Sequence, residues 1–167
     1  MAGAAVTAEG KAEASMGVDA GDYDNDRDDD LIMTELTGQG FNVYANDGKA
    51  HFRDAGASTG IGPATMLFTG WGTSWFDYDN DGWLDTFSAN GTIITLEGHS
   101  AVGFPYDQHR LLFRNRGNGT FEDITATCGV FDSSSKALGV ALLDDDQDGW
   151  PDIFVANDTE PNKLYRN

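Results

Sequence analysis

The residues best able to do chemistry are aspartates that recur at fixed spacing in three short stretches. The clearest stretch runs from Asp77 to Asp85 and reads D-x-D-x-D-G-x-x-D, with carboxylates at positions 1, 3, 5 and 9 and glycine at position 6. Residues 22–30 and 144–152 repeat this spacing, although Arg27 replaces the glycine in the first copy. Ca²⁺ prefers oxygen ligands in a flexible shell of about six to eight. The spacing therefore predicts three calcium loops, and about three Ca²⁺ ions per chain.

The side chains at positions 1, 3, 5 and 9 and the backbone carbonyl at position 7 are the predicted ligands. They are Asp22, Asp24, Asp26, the Asp28 carbonyl and Asp30 in the first loop; Asp77, Asp79, Asp81, the Trp83 carbonyl and Asp85 in the second; and Asp144, Asp146, Asp148, the Trp150 carbonyl and Asp152 in the third. Mg²⁺ demands a tighter octahedron, and Zn²⁺ favours His or Cys, which these loops lack. A non-glycine residue with positive φ costs roughly 1–2 kcal/mol, so the Arg27 loop is the weakest of the three.

The acidic stretches admit two other interpretations. Asp, Asn and Gly are common turn residues, so one copy alone could be an ordinary surface turn, but three copies in phase favour metal sites. An EF-hand requires a bidentate Glu at loop position 12 and a helix on each side. Position 12 is Met33, Ser88 and Val155 in the three copies, which argues against an EF-hand.

Composition narrows the classes of function. The chain has 167 residues with 28 acidic and 10 basic side chains, a formal charge of −18, and fifteen of the acidic residues lie in the three loops. This balance disfavours a nucleic-acid partner. No apolar run reaches membrane-spanning length, so membrane insertion is not expected. The N-terminus lacks the features of a signal peptide, and the single cysteine, Cys128, is predicted to be a structural filler.

An internal repeat surrounds the three loops. When Asp22, Asp77 and Asp144 are aligned, glycine recurs five positions earlier, and apolar or β-branched residues recur six, four and two positions earlier. This period of two predicts a strand before each loop, and a second strand-like run follows it. Third segments end at Asn46, Asn115 and Asn167, and fourth segments are expected over residues 52–61 and 121–130. The fold class is therefore predicted to be all-β, with four strands per repeat.

Four-stranded repeats that stack on their neighbours are typical of β-propeller blades. The whole of residues 1–167 is predicted to be one propeller segment, with blades at about 16–61, 70–130 and 137–167, the last of them incomplete. Residues 1–15 are expected to be the remnant of an earlier blade, with a strand at 4–7. Because a ring usually needs about 4–8 blades, the prediction is a fragment of a larger propeller, or an oligomer formed through open blade edges.

The motifs resemble those of FG-GAP/VCBS repeat proteins, and most closely those of the ASPIC/UnbV group related to cartilage acidic protein. Stretches 16–26, 70–85 and 111–123 carry the resemblance. It implies a seven-bladed propeller like the head of integrin α subunits, with a calcium loop between the first two strands of each blade. It also implies an extracellular, periplasmic or cell-surface location, and ligands that meet the face opposite the calcium loops.

The function expected from the sequence is a calcium-binding, non-catalytic module for binding or adhesion, with a protein or glycan ligand. The alternatives are part of a propeller-based hydrolase or lyase, with its active site on the face opposite the loops, and a purely structural repeat. No G-x-S-x-G, H-E-x-x-H or Ser/His/Asp pattern supports catalysis. The long connection from Asn90 to Arg110, with His99 and His109, is a candidate ligand-binding loop or a tolerated insertion.

Overall fold

The fold is known from a computed structural model, which describes residues 3–49, 51–91, 108–133 and 136–167. The chain is all-β, as predicted, and forms three antiparallel sheets in sequence order. The first sheet contains β1 (Val18–Gly21), β2 (Asp30–Met33), β3 (Asn42–Asn46) and β4 (Phe52–Asp54). The second contains β5 (Gly70–Phe76), β6 (Asp85–Asn90), β7 (Leu111–Asn115) and β8 (Phe121–Asp123). The third contains β9 (Ala137–Leu143), β10 (Asp152–Asn157) and β11 (Lys163–Tyr165).

Each sheet is a simple meander in which consecutive strands pair. In each sheet the first strand ends just before an acidic stretch, and the second strand begins at the last residue of that stretch. The residues that face each other there are Gly21 and Asp30, Phe76 and Asp85, and Leu143 and Asp152. The three acidic stretches are therefore the tips of three equivalent hairpins. Their position at the same end of each sheet follows from the repeated register.

The fourth strands are shorter than the expected segments 52–61 and 121–130. Asp54 Oδ1 accepts a hydrogen bond from the Gly56 amide at 3.0 Å, and Asp123 Oδ1 accepts one from the Thr125 amide, also at 3.0 Å. Such a side-chain turn offers the backbone an alternative to the sheet ladder, and it ends the strand. In the first repeat the chain then forms two short helices, α1 (Gly56–Thr59) and α2 (Ile61–Thr65).

The three sheets pack side by side, with the first strand β1 adjacent to β5 and β5 adjacent to β9. The recurring glycine five positions before each loop explains how these strands approach so closely. A Cβ on Gly72 would lie 2.9 Å from the amide nitrogen of Val140, and a Cβ on Gly17 would collide with the carbonyl of Trp71. A larger residue at either position would push neighbouring sheets apart.

Two apolar clusters fill the spaces between the sheets. Between the first and second sheets, Tyr23, Ile32 and Val43 pack against Trp75 and Phe113. Between the second and third sheets the buried cluster includes Phe76, Phe87, Leu112, Ile153 and Val155. The outer face of the third sheet leaves Leu138, Phe154 and Leu164 exposed. Each sheet thus buries its apolar residues against a neighbour, as stacked propeller blades do.

The N-terminal strand expected at residues 4–7 does not form. Residues 3–6 are turns and bends, and a compact turn follows in which the Thr7 amide donates to the carbonyl of Lys11 at 2.9 Å. The Ala8 amide donates to the carboxylate of Asp54 at 3.0 Å, which fixes this segment beside β4 without adding a strand. Alternating apolar residues are too few here to bury a strand face, so local turn formation prevails.

Candidate metal centres

Each hairpin tip brings three carboxylates together. Their oxygens at loop positions 1, 3 and 9 lie within 4.8 Å of one another in every copy. The three clusters are Asp22, Asp24 and Asp30; Asp77, Asp79 and Asp85; and Asp144, Asp146 and Asp152. Like charges at this distance repel one another, so a cation between them would relieve a repulsion that the fold imposes.

The position-1 aspartate orders the loop backbone in all three copies. In the second loop, Asp77 Oδ1 accepts the amide of Asp81 at 3.0 Å, and Oδ2 accepts the amide of Gly82 at 2.8 Å. Asp22 and Asp144 accept the corresponding pairs of amides at 2.8–3.1 Å. Since each carboxylate oxygen has two lone pairs, one remains on each for a metal ion.

The position-9 aspartate is the buried anchor of each cluster. Asp30 and Asp85 are 0% exposed and Asp152 is 1% exposed. Asp85 accepts the amide of Tyr78 at 2.8 Å and, through its other oxygen, the amide of Asn115 at 2.7 Å. Burial raises the pKa of both Asp30 and Asp85 to about 6. A buried carboxylate with this pKa gains a great deal from a nearby cation, because desolvation penalises its charged form.

The position-3 aspartates supply the most direct test of whether a cation fits. Asp24 Oδ1 and Asp79 Oδ1 are buried and have no hydrogen-bond partner among the described residues. Buried polar atoms in native proteins are normally partnered, so an orphaned carboxylate oxygen inside an acidic cluster calls for an ion or a water. The donor set consists only of oxygens, which suits Ca²⁺ better than a transition metal.

The remaining predicted ligands take a different position. The position-5 aspartates Asp26, Asp81 and Asp148 are not in the three-residue clusters. In each case Oδ1 accepts the backbone amide of the residue at loop position 7, at 2.9–3.0 Å. This bond closes the turn that carries the position-7 carbonyl. Ligation by the position-5 side chains and by the carbonyls of Asp28, Trp83 and Trp150 stays a prediction.

Arg27 adopts the conformation for which glycine was expected. Its φ is 80°, against 88° for Gly82 and 90° for Gly149 at the same loop position. Position 4 is also left-handed in all three loops, at Asn25, Asn80 and Gln147. The first loop therefore has the same backbone as the others and carries the strain of a non-glycine residue with positive φ.

The asparagines that follow the third strands of the second and third sheets link the loops of adjacent sheets, whereas Asn46 in the first sheet donates to the Asp29 carbonyl of its own loop. The Asn115 side-chain amide donates to the carbonyl of Tyr23 in the first loop at 2.8 Å and to that of Leu84 in its own loop at 3.0 Å. Asn167 donates in the same way to the carbonyl of Tyr78 in the second loop at 2.7 Å. The sequence shows the recurring Asn column but not this role, because the partner of Asn115 lies 92 residues away.

Arginines lie near all three loops, in different arrangements. Arg114 pairs with Asp79 at 2.7 Å and with Asp81 at 3.1 Å, and Arg166 pairs with Asp145 at 2.7 Å. The hydrogen bond to Asp81 and the charge of Asp79 raise the pKa of Arg114. Ala45 occupies the equivalent position in the first sheet, and Arg53 opposite it places a positive charge near Asp24. With six aspartates and Arg27, residues 22–30 carry a net charge of −5, against −4 for the four aspartates of residues 77–85, although the backbone of the two loops is the same.

The predicted candidate loop from Asn90 to Arg110 is described only at its two ends. Residues 92–107, which include His99, Phe104, Tyr106 and Asp107, lie outside the described residues. At its end, the His109 ring lies 4.8 Å from that of Phe68 and 5.1 Å from that of Phe131. These residues belong to connections at the strand ends opposite the acidic tips, and Phe131 and Leu67 are 53% and 63% exposed there.

Stacked antiparallel meanders, each with an acidic loop between its first and second strands, define blades of the β-propeller type. A family model described as the FG-GAP-like repeat matches residues 22–88 and 101–155. The chain therefore belongs to the FG-GAP-like repeat family, which confirms the resemblance seen in the sequence.

Curated relatives support this family assignment over a short stretch. The chain is 48% identical over 54 residues to cartilage acidic protein 1 of Mus musculus and of Homo sapiens, and 44% identical over 54 residues to that of Xenopus tropicalis. Each match covers 32% of this chain and only 8% of the relative. No helix among the described residues is long and apolar enough to span a membrane.

Proposed function

We propose that the chain is a calcium-stabilised propeller module that binds a partner without catalysing a reaction. The observation that carries the proposal is the cluster of three carboxylates at each of three equivalent hairpin tips, with oxygens within 4.8 Å of one another. In two clusters a buried carboxylate oxygen has no partner among the described residues. The family resemblance, in which such loops hold calcium, supports the same interpretation.

Calcium in this setting would be structural. An ion held by Asp77, Asp79 and Asp85 would join the two ends of one loop to the base of β6, and so would fix the hairpin. Its charge would offset the repulsion among the carboxylates, which in the metal-free protein opposes folding. We expect affinities on the order of 10⁻⁴–10⁻³ M, the range of extracellular calcium modules rather than of cytosolic sensors. This range accords with an extracellular, periplasmic or cell-surface location.

The partner surface is proposed to be the face opposite the metal loops. That face is made by the connections from second to third strand and from one sheet to the next, and its exposed apolar side chains include Leu67 and Phe131. Exposed aromatic and aliphatic side chains on one face are typical of binding surfaces. This pattern favours a binding module over a purely structural repeat, and a protein or glycan is the class of ligand proposed.

The metal assignment can be tested with single-loop variants. Asp79→Ala and Asp146→Ala each remove a position-3 ligand, so each should lower the calcium stoichiometry by one and leave the other loops able to bind. Competition between terbium and calcium, followed by terbium luminescence, measures the number of sites. Asp29→Ala is the matched control, because Asp29 is an exposed loop residue outside the clusters. Full stoichiometry in both position-3 variants would contradict the ligand assignment.

A further inference from the structure

Hydrogen bonds that begin at the position-9 aspartates run from one acidic loop to the next. Asp85 Oδ1 accepts the backbone amide of Asn115 at 2.7 Å, and the side-chain amide of Asn115 donates to the Tyr23 carbonyl of the first loop at 2.8 Å. The backbone amide of Tyr23 in turn donates to Asp30 Oδ2 at 3.2 Å. The buried carboxylates of the second and first loops are therefore joined through two residues.

The same pattern continues from the second loop to the third. The Tyr78 amide donates to Asp85 Oδ2 at 2.8 Å, and the Tyr78 carbonyl accepts the side-chain amide of Asn167 at 2.7 Å. The backbone amide of Asn167 donates to Asp152 Oδ1 at 3.0 Å. We call these bonds, from Asp30 through Asp85 to Asp152, the loop relay.

The part of the loop relay between the first and second loops is buried. Asp30 and Asp85 are 0% exposed and Asn115 is 2% exposed. Breaking a buried hydrogen bond leaves a donor or acceptor without a partner, which costs more than the bond itself contributes. Asn25 adds a contact between the same two loops, from its side-chain amide to the Gly82 carbonyl at 3.1 Å, at an exposed position where water competes. The first two loops are therefore the pair in which movement of one most strongly constrains the other.

The loop relay holds the backbone that presents the candidate metal ligands. The Tyr23 carbonyl belongs to the peptide unit that also contains the Asp24 amide, so its bond to Asn115 fixes the backbone just before Asp24. Asp24 Oδ1 is the buried carboxylate oxygen without a partner among the described residues of the first loop. Asn115 thus restrains the position-3 ligand of one loop and, through Asp85, the position-9 ligand of the next.

Asn46 provides an internal comparison within the same repeat. Its backbone amide donates to Asp30 Oδ1 at 2.8 Å, as that of Asn115 does to Asp85. Its side-chain amide, however, donates to the Asp29 carbonyl of its own loop at 3.0 Å. Asn46 therefore anchors one loop, whereas Asn115 anchors two.

The relay determines the sign of any coupling between the loops. Without a cation, the three carboxylates of each cluster repel one another and oppose an ordered loop. A cation removes this repulsion, and a neighbouring loop already restrained by the relay has less conformational freedom to lose when it binds. Repulsion between two bound ions acts in the opposite direction, but salt screens it beyond about 10 Å. The expected coupling is therefore positive.

We propose that the loop relay couples the calcium sites, so that an ion in the first loop raises the affinity of the second loop for calcium. This inference rests on the proposed function, because it requires that the loops bind calcium. By linkage, an ion in the second loop raises the affinity of the first by the same factor. The loops then form one cooperative unit, which becomes ordered over a narrower range of calcium concentration than independent sites would.

The coupling can be measured in the Asp146→Ala chain, in which the first and second loops keep all their predicted ligands. Calorimetric titration with calcium at about pH 7.5, where both buried aspartates are ionised, gives the constant for binding two ions. Adding Asp24→Ala or Asp79→Ala gives the constant of the second or the first loop alone. The coupling factor is the two-ion constant divided by the product of the single-loop constants. We expect a factor of about three to ten, which corresponds to one net hydrogen bond.

Asn115→Ala in the same three chains should reduce the coupling factor to below about two, since only the exposed Asn25 contact then remains. Asn46→Ala is the matched control, because both variants remove a side-chain donor and the acceptor for the glycine amide two residues later. It should leave the factor unchanged. An unchanged factor in Asn115→Ala, or a factor of one in the unsubstituted Asn115 chain with both loops binding, would overturn the coupling alone. No calcium binding by any chain would overturn the proposed function as well.

Amide hydrogen exchange tests the relay without a change at Asn115. In the chain that keeps only the first loop, calcium should slow exchange of the Asn115 backbone amide, which is bonded to Asp85, by about the coupling factor. The neighbouring Arg116 amide pairs across the turn between β7 and β8 and should not change. Slowing confined to residues 22–30 would show that the first loop binds calcium without transmitting its effect, and would overturn the coupling.

Discussion

The first and second acidic loops have the same backbone and different sequences. Arg27 and Gly82 both have positive φ, 80° and 88°, and Asn25 and Asn80 before them are left-handed at 59° and 56°. In both loops the position-1 aspartate accepts hydrogen bonds from the backbone amides at loop positions 5 and 6, with distances of 2.8–3.0 Å. The carboxylate hydrogen bonds therefore impose the turn, and glycine only lowers its cost.

The two loops differ in what surrounds them. Arg114 pairs with two carboxylates of the second loop, whereas Ala45 stands at that position in the first sheet. The first loop also has two extra acidic residues, Asp28 and Asp29, and Arg27 offsets one of their charges. The first loop thus combines a strained backbone with one more negative charge than the second, which calcium would offset. The comparison predicts that the first loop depends more on calcium than the second does.

The largest expected effect on stability comes from removing the buried aspartate at loop position 9. Asp85→Ala should lower the free energy of unfolding by about 2–5 kcal/mol, because it leaves the amides of Tyr78 and Asn115 without an acceptor and removes a ligand. Asp30→Ala should cost a similar amount through the amides of Tyr23 and Asn46. Urea unfolding in calcium and in chelator measures both. If the first loop depends more on calcium, chelation should lower the cost of Asp30→Ala more than that of Asp85→Ala.

The asparagine link between loops should have the next largest effect. Asn115→Ala removes hydrogen bonds to both the first and the second loop, whereas Asn46→Ala removes one to Asp29 in its own sheet. Each variant also removes the acceptor for the glycine amide two residues later, so that loss cancels in the comparison. We expect Asn115→Ala to destabilise the chain by about 1 kcal/mol more than Asn46→Ala. Thermal unfolding of the two variants in calcium makes the comparison. Equal losses would show that the contact between sheets contributes nothing measurable.

Stability and calcium affinity should depend on pH in a similar way in the two loops, since the buried aspartate at position 9 has a raised pKa in both. In metal-free protein the pKa of Asp30 and of Asp85 rises from an ordinary 3.8 to about 6 because the groups are buried. Between pH 4 and 6 the folded chain binds more protons than the unfolded chain, so its stability falls as pH rises through this window. Calcium must displace these protons, so its affinity should fall as pH drops below about 6.

Calorimetry at pH 5.5 and 7.5, in buffers of different ionisation enthalpy, tests this dependence. Proton release on calcium binding should be measurable at pH 5.5 and nearly absent at pH 7.5. An affinity that is the same at both values, with no proton release, would contradict burial of the two carboxylates as the source of the raised pKa.

The smallest expected effect comes from exchanging the position-6 residues. Arg27→Gly should stabilise the chain by up to about 1 kcal/mol, since glycine adopts positive φ without steric cost. Gly82→Arg should destabilise it by about the same amount, because a Cβ at Gly82 meets no atom within 4 Å and only backbone strain is added. Thermal unfolding of both variants provides the test. A change in the same direction for both would show that factors other than φ dominate.

The parts of the structure that the sequence could predict are local and repeated. The period of two and the spacing of Asp77, Asp79 and Asp85 predict strand, loop and strand, and the structure confirms the all-β class. The early end of β8 could not be predicted, since it depends on whether Asp123 turns back onto the Thr125 amide. The bond from Asn115 to Tyr23 joins residues of different sheets, so no local pattern reveals it.

Calorimetric titration of metal-stripped protein with calcium is the most direct test of the central claim. We expect three ions per chain and a higher melting temperature in calcium than in chelator. Two ions would identify the Arg27 loop as unable to bind. No calcium binding, with the same melting temperature in calcium and in chelator, would contradict the account and reduce the three clusters to acidic turns.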